Sequence, residues 1–222
     1  MRLAIILVGA AGCMPGQVQS ALVETAEISA TYELAVSTDG STVGSASFRW
    51  GPGEADVLLD DGDSVTADGL VLGPESERSE VYTSALDSAD HHVFAFRRAG
   101  EEIEQTIEPA PVFAVTSEPI TGSYALLQTT LTWAPTIAGG AEIEIVARGT
   151  TAGCGTIVLD SKLADTGSFA FTGADVKVGT TPPPCTFSLE VRRSVRDQAV
   201  ETALASTSLH ATHVAATTLV IR

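Results

Sequence analysis

From residue 28 onward, apolar and polar positions alternate along the chain with a period of two, as in "ISATYELAV" over 28–36. That period predicts strands, because successive side chains leave opposite faces of a pleated chain. Further strands are predicted over 43–50 ("VGSASFRW"), 91–98 ("HHVFAFRR"), 103–108 ("IEQTIE"), 126–133 ("LLQTTLTW"), 141–148 ("AEIEIVAR") and 185–193 ("CTFSLEVRR"). The alternation places His92, Phe94 and Phe96 on one face, and likewise Phe187, Leu189 and Val191. "ADVLLDDGDSVTADGLVL" holds two or three short strands separated by Asp-Gly turns, and "ASTSLHATHVAATTLVIR" closes the chain with one or two more. Asp39-Gly40 marks the turn of an early hairpin. Helical periodicity is weak throughout, and residues 197–205 read as a strand and a turn rather than a helical turn.

Short strands at this spacing with frequent turn signals predict a sandwich or barrel. A faint internal repeat narrows the choice. "SFRWGP" (47–52) is echoed by "TLTWAP" (130–135), and "VFAFRRA" (93–99) by "LEVRRS" (189–194). The expected fold class is therefore all-β, with two tandem β-sandwich (immunoglobulin-like) domains over 27–118 and 119–222. Trp50 and Trp133 are assigned to packing, one in each core, rather than to a ligand platform.

The N-terminus follows a different pattern. Arg2 precedes the apolar run Leu3–Val8, small residues occupy 9–12, and the run stops on Cys13. A basic start, an apolar middle and a small-residue end make an export signal. The run is shorter than the ~20 residues a membrane span requires. Ala10-Ala11-Gly12-Cys13 resembles the lipobox of bacterial lipoprotein precursors, with Ala10 where that family more often carries Leu. The resemblance implies cleavage before Cys13 and a diacylglycerol on its thiol, so that 1–12 is a signal peptide and 13–26 a lipidated cysteine and tether. The alternative is an ordinary secretory signal with an incidental cysteine. Several further phrases, "LLDDGDSVTADG", "FAFRRAG" followed by "PAPVFAVTSEP", "LTWAP", "DTGSF" and "LEVRR", resemble exported lipoproteins of Gram-negative bacteria. That likeness implies a lipid-anchored envelope protein, on the outer membrane with its facing side open. It carries no activity with it.

Charge changes the picture by exclusion. The 222 residues hold 12 Lys and Arg against 28 Asp and Glu, a formal charge of -16. Nucleic-acid binding needs clustered cations, and these are few and scattered. Attraction to an anionic membrane surface is disfavoured for the same reason. The acidity itself reads as solubility. An apolar fraction of 44% is enough to build a core.

Candidate chemistry is sparse. Cys154 and Cys185 form a natural disulfide in an exported protein, and closing their loop is worth about 3–4 kcal/mol on chain-entropy grounds. Free buried thiols or a metal pair are the alternatives, though without nearby histidines they make poor zinc ligands. His91 and His92 are adjacent and His210 and His213 three apart, so each pair splits across a strand and reads as surface or core. Asp60, Asp61, Asp63 and Asp68 are weak calcium candidates, whose spacing departs from an EF-hand and which Asp-Gly turns explain equally well. The sequence contains no Gly-x-Ser-x-Gly elbow, no His-Glu-x-x-His and no phosphate-cradling glycine loop. The expectation is a non-enzymatic binding or structural module with no catalytic residues and no cofactor, held to the membrane by its N-terminal lipid, with an envelope protein or extracellular ligand as partner. A calcium-dependent adhesin-like module and a carboxylate-based hydrolase on a β-sandwich are the alternatives.

Overall fold

The computed structural model describes residues 16–51, 55–60, 62–76, 79–117, 128–137, 139, 141–150, 156–172, 185–198 and 203–221. Among the described residues, seventeen strands carry the fold. In the first half these are β1 (Gln17–Gln19), β2 (Ile28–Val36), β3 (Thr42–Trp50), β4 (Ala55–Leu58), β5 (Ser64–Ala67), β6 (Leu70–Val71), β7 (Gly73–Pro74), β8 (Val81–Leu86), β9 (His92–Arg98) and β10 (Glu101–Ile107). The second half contains β11 (Ala114–Ser117), β12 (Gln128–Ala134), β13 (Ala141–Gly149), β14 (Thr156–Ala164), β15 (Ser168–Thr172), β16 (Cys185–Gln198) and β17 (Ser206–Ile221). Two single-turn 3-10 segments, Ser20–Leu22 and Thr25–Glu27, lie between β1 and β2.

The strands form three sheets. The largest follows the path β1-β4-β3-β2-β17-β16-β13-β14, with β8 also pairing β3 and β7 pairing β8. A four-stranded sheet runs β10-β9-β5-β6, and a three-stranded sheet runs β11-β12-β15. Pairing is antiparallel except between β1 and β4 and between β17 and β2. The β2-β3-β8 part of the large sheet packs against β10-β9-β5-β6. In the second half, β11-β12-β15 packs against β17-β16-β13-β14. Strands β2-β3-β8 over β10-β9-β5-β6 recur in the same chain order as β11-β12-β15 over β17-β16-β13-β14, with β1, β4, β7 and the early part of β17 added to the first set, and the repeated phrases occupy matching strands. "SFRW" ends β3 as "TLTW" ends β12 within one residue, and "FAFRR" lies on β9 as "LEVRR" lies on β16.

Alternation builds both cores. In the first, Tyr32, Phe48, Phe94 and Phe96 are almost wholly buried, and the Phe48 and Phe96 rings lie 4.7 Å apart between the facing sheets. Fully burying each such ring is worth about 1.5–3 kcal/mol. In the second, Leu131 and Trp133 on β12 meet Ile143, Ile145, Phe187, Leu189 and Val191 across the sandwich. The turns follow their residues. Asp68-Gly69 between β5 and β6 has φ of 50° and 79°, the left-handed pair a two-residue hairpin requires.

Packing crosses the expected boundary at 118 in both directions. Phe113 and Val115 belong to the second core. Leu204 and Ala211 are buried in the first, with Val195 and Leu209 packed against it. The cause is the length of β16 and β17. The early part of β17 lies parallel to β2, from Ser206 beside Ser29 to His213 beside Val36, before the strand continues into the second half. The closing run is thus one long strand shared by both halves.

From Gly16 onward, the segment expected to be a tether is also folded. β1 pairs with β4, Ser20 is fully buried, and Val23 enters the first core. Trp50 departs from its expected place too. It ends β3 beyond the core, 37% exposed, while Trp133 is buried as expected.

Candidate functional site

The second arginine of each Arg-Arg doublet lies in phase with the apolar face of its strand and is drawn inward. On β16, Arg193 follows Leu189 and Val191. Its guanidinium is fully buried, with Nε 3.0 Å from Asp165 Oδ2 but its N–H not aligned on that oxygen. Nη1 donates to Pro111 O at 3.2 Å and Nη2 to Pro135 O. The group also lies 4.2 Å from the centre of the Phe113 ring, a cation–π contact. Asp165 accepts from Trp133 Nε1 at 2.6 Å and from the Ile137 backbone N–H at 2.9 Å. One buried ion pair therefore ties β12, β16, the 109–113 connection and the turn before β15 together. On β9, Arg98 plays the matching part. Its Nη2 donates to Ser20 O and to Val23 O, both at 2.5 Å, and its Nε lies 3.5 Å from Asp63. The first arginines point outward, Arg97 to Glu102 and Arg192 to Glu144 and Glu190.

The calcium candidates are individually engaged. Asp60 accepts from the Ala21 N–H at 2.9 Å, Asp63 faces Arg98, and Asp68 takes the His92 Nδ1–H at 2.7 Å and the Val93 N–H at 2.8 Å. Burial pushes the Asp68 carboxyl up, but the Val93 and His92 hydrogen bonds outweigh it and hold the group below its ordinary value. Among the described residues, no three His, Cys, Asp or Glu side chains gather as a metal would require. Asp61, Cys13 and Cys154 lie outside the described residues, as does the Cys185 side chain; its backbone opens β16. The histidines split as their spacing predicts. His92 is fully buried and His91 exposed; His213 is buried, while His210 points outward, 3.9 Å from Glu33. His92 Nε2 and His213 Nδ1 are buried without hydrogen-bond partners. Burial, then the Arg193 charge, holds His213 below its ordinary value.

Among the described residues, two concavities lie at the join between the halves, and a third lies on the first half away from it. Pro109-Ala110-Pro111 forms a wall of two of them. One, of about 210 Å³, is lined by Ile107, Ile137, Val195 and Leu209. The other, of about 300 Å³, includes Val36, Asp90, Val112 and His213. The third is a polar trough of about 500 Å³ on the outer face of the large sheet, formed by Ser29, Thr31, Glu33, Ser47, Arg49 and Ser208. Neighbouring strands align these side chains in rows, Arg49–Ser29–Ser206 and Ser47–Thr31–Ser208. Hydroxyls with one carboxylate and one guanidinium can hold a polar ligand by hydrogen bonds.

No protein-family profile matches the chain, and no curated protein matches it. Sequence reasoning missed Arg98, Arg193 and Asp165. The signal for the arginines was present, since extending the Phe94–Phe96 and Leu189–Val191 alternation by one step lands on them.

Proposed function

We propose that the protein is a lipid-anchored module of the bacterial envelope, built from two tandem immunoglobulin-like sandwiches, that acts by binding or as a structural spacer and not by catalysis. The observation that carries the reading is the long β16–β17 pair. It lies in the sheet of both halves, and Ala211 on β17 and Leu204 in the connection before it are buried in the first core, an arrangement that resists bending at the join. A continuous sheet with an ion pair buried beside the join suits a protein that holds a surface at a fixed distance from its anchor. The recurrence of β2-β3-β8 over β10-β9-β5-β6 as β11-β12-β15 over β17-β16-β13-β14 supports the immunoglobulin-like reading. The hydroxyl-lined trough offers a surface for a polar ligand.

The anchor rests on the lipobox-like Ala10–Cys13. The outer membrane of a Gram-negative cell is the proposed address, and an envelope protein or extracellular ligand the proposed partner. Intact mass of the mature protein from its host's membrane fraction tests the anchor. A chain starting at Cys13, heavier by a diacylglycerol and an acyl group, supports it, and an unmodified chain cut elsewhere overturns it. Cross-linking with mass spectrometry in the same membranes then tests the binding role.

A further inference from the structure

The anchor reading, on which this inference rests, has a geometric consequence at Gly16. The Gly16 carbonyl accepts a hydrogen bond from Asp56 N–H at 2.8 Å, so the chain is already tied to the first sandwich there. Only Met14 and Pro15 separate it from Cys13. Even fully extended, that stretch reaches about 11 Å. From Gly16 onward the segment is held down by the β1–β4 pairing, by Arg98 on Ser20 O and Val23 O, and by Asp60 on the Ala21 N–H. No slack remains to hold the sandwich away from an acylated Cys13.

The end of the sandwich carrying this segment is the one where β2 begins and β3 and β9 end, since Ile28 pairs with Trp50 and Arg98 clamps the segment. Two large apolar side chains are exposed there, Leu22 at 70% and Trp50 at 37%. Trp50 donates its indole N–H to Glu27 Oε2 at 2.9 Å, so its ring presents an apolar body with the polar edge occupied. Such rings favour the headgroup level of a bilayer. The adjoining charges are Glu27, and Asp56 paired with Arg49, a net negative set that disfavours anionic lipid.

We infer that this end of the first sandwich is a membrane-contact surface. Leu22 and Trp50 rest in the interface of a bilayer with neutral headgroups, and the second half projects away from it. The occupant is the lipid surface that the short Cys13–Gly16 reach brings against this end.

The two tryptophans make the test. The mature chain purified from membranes is reconstituted into phosphatidylcholine vesicles with brominated acyl chains, and its fluorescence is compared with that in unbrominated vesicles. Trp50 is expected to be quenched by half or more, whereas Trp133, buried in the second half, is not. Trp50→Phe should then abolish most of the quenching while keeping the Trp133 emission that reports a folded protein. Including anionic phosphatidylglycerol should reduce quenching. An acylated chain with equal emission in both vesicles overturns this inference and leaves the anchor standing. A mass without acyl groups on Cys13, or one retaining residues 1–12, overturns both.

Discussion

Arg193 and Asp165 are buried as a pair, Nε 3.0 Å from Oδ2, with side-chain exposures of 0% and 1%. Taking both charges out of water is costly, and the contacts to Pro111, Pro135, Trp133 and Ile137 offset that cost by satisfying the other polar atoms. Removing one partner leaves the other charged and alone. Asp165→Ala and Arg193→Met are each expected to lose about 3–5 kcal/mol. Arg193→Met combined with Asp165→Ala should lose less than the two single changes together. Urea denaturation of all three variants checks this, and additive losses would show that the two groups do not act as a pair.

The two arginines of the β9 doublet should differ sharply. Arg98 serves two backbone carbonyls and Asp63 in a half-buried setting, whereas Arg97 meets Glu102 in solvent. Arg98→Ala should free the segment around Ser20 and cost about 1.5–3 kcal/mol for each charged hydrogen bond lost. Arg97→Ala should cost no more than about 1 kcal/mol. Limited proteolysis read by mass spectrometry is the check. Early cleavage between Gly16 and Val23 is expected in the Arg98 variant and not in the Arg97 variant.

The strands were legible because a half-buried pleat writes itself as alternation. β2 coincides with its predicted span, and β9 and β13 differ by a residue at one end. The same alternation announced the inward arginines, but an arginine reads as solvent-exposed until its partner is known. Asp165 lies 28 positions from Arg193, and only the folded chain brings them together. The sharing of β17 was hidden for a related reason. A parallel pairing between residues 28–36 and 206–213 has no turn between its strands to signal it. β14 passed unnoticed, and Trp50 was misplaced because it extends one step past the last core residue of β3, Phe48. Trp133 finds the Asp165 carboxylate inside its core.

Gly44 on β3 leaves room for Leu86 of the neighbouring strand β8 and for Phe94 of the facing sheet. A Cβ there would lie 2.8 Å from Leu86 Cδ1 and 3.1 Å from Phe94 Cζ. Gly44→Ala is expected to overpack the first core and cost about 1–3 kcal/mol. Leu86→Ala removes the nearest obstacle, so the double variant should tolerate the new methyl better than two independent changes would predict. Thermal unfolding of the single and double variants measures that coupling.

Acidification should act on the fold in two separate stages. His213 sits on β17 facing Arg193 of β16, with Asp165 behind that arginine, the Phe113 ring edge-on, Val36 beside it on β2, and Asp90 lining the same cavity. Burial and the Arg193 charge hold it below its ordinary 6.5, so the unfolded chain binds its proton more readily than the folded one. Stability from this group is therefore complete above pH 6.5 and falls as pH drops below that value, by at most about 1.4 kcal/mol per pH unit. Asp68 works in the same sense at lower pH. Its carboxyl is held below 3.8 by Val93 and His92, so its contribution is present above 3.8 and is lost as pH falls through the folded-state value. His213→Phe should flatten the stability profile just below pH 6.5 and leave the lower stage, while Asp68→Asn should remove the lower stage and leave the upper one. Urea midpoints measured from pH 7.5 to 3 on both variants separate the two. A His213→Phe profile parallel to the parent's across the upper window would show that some other group titrates there.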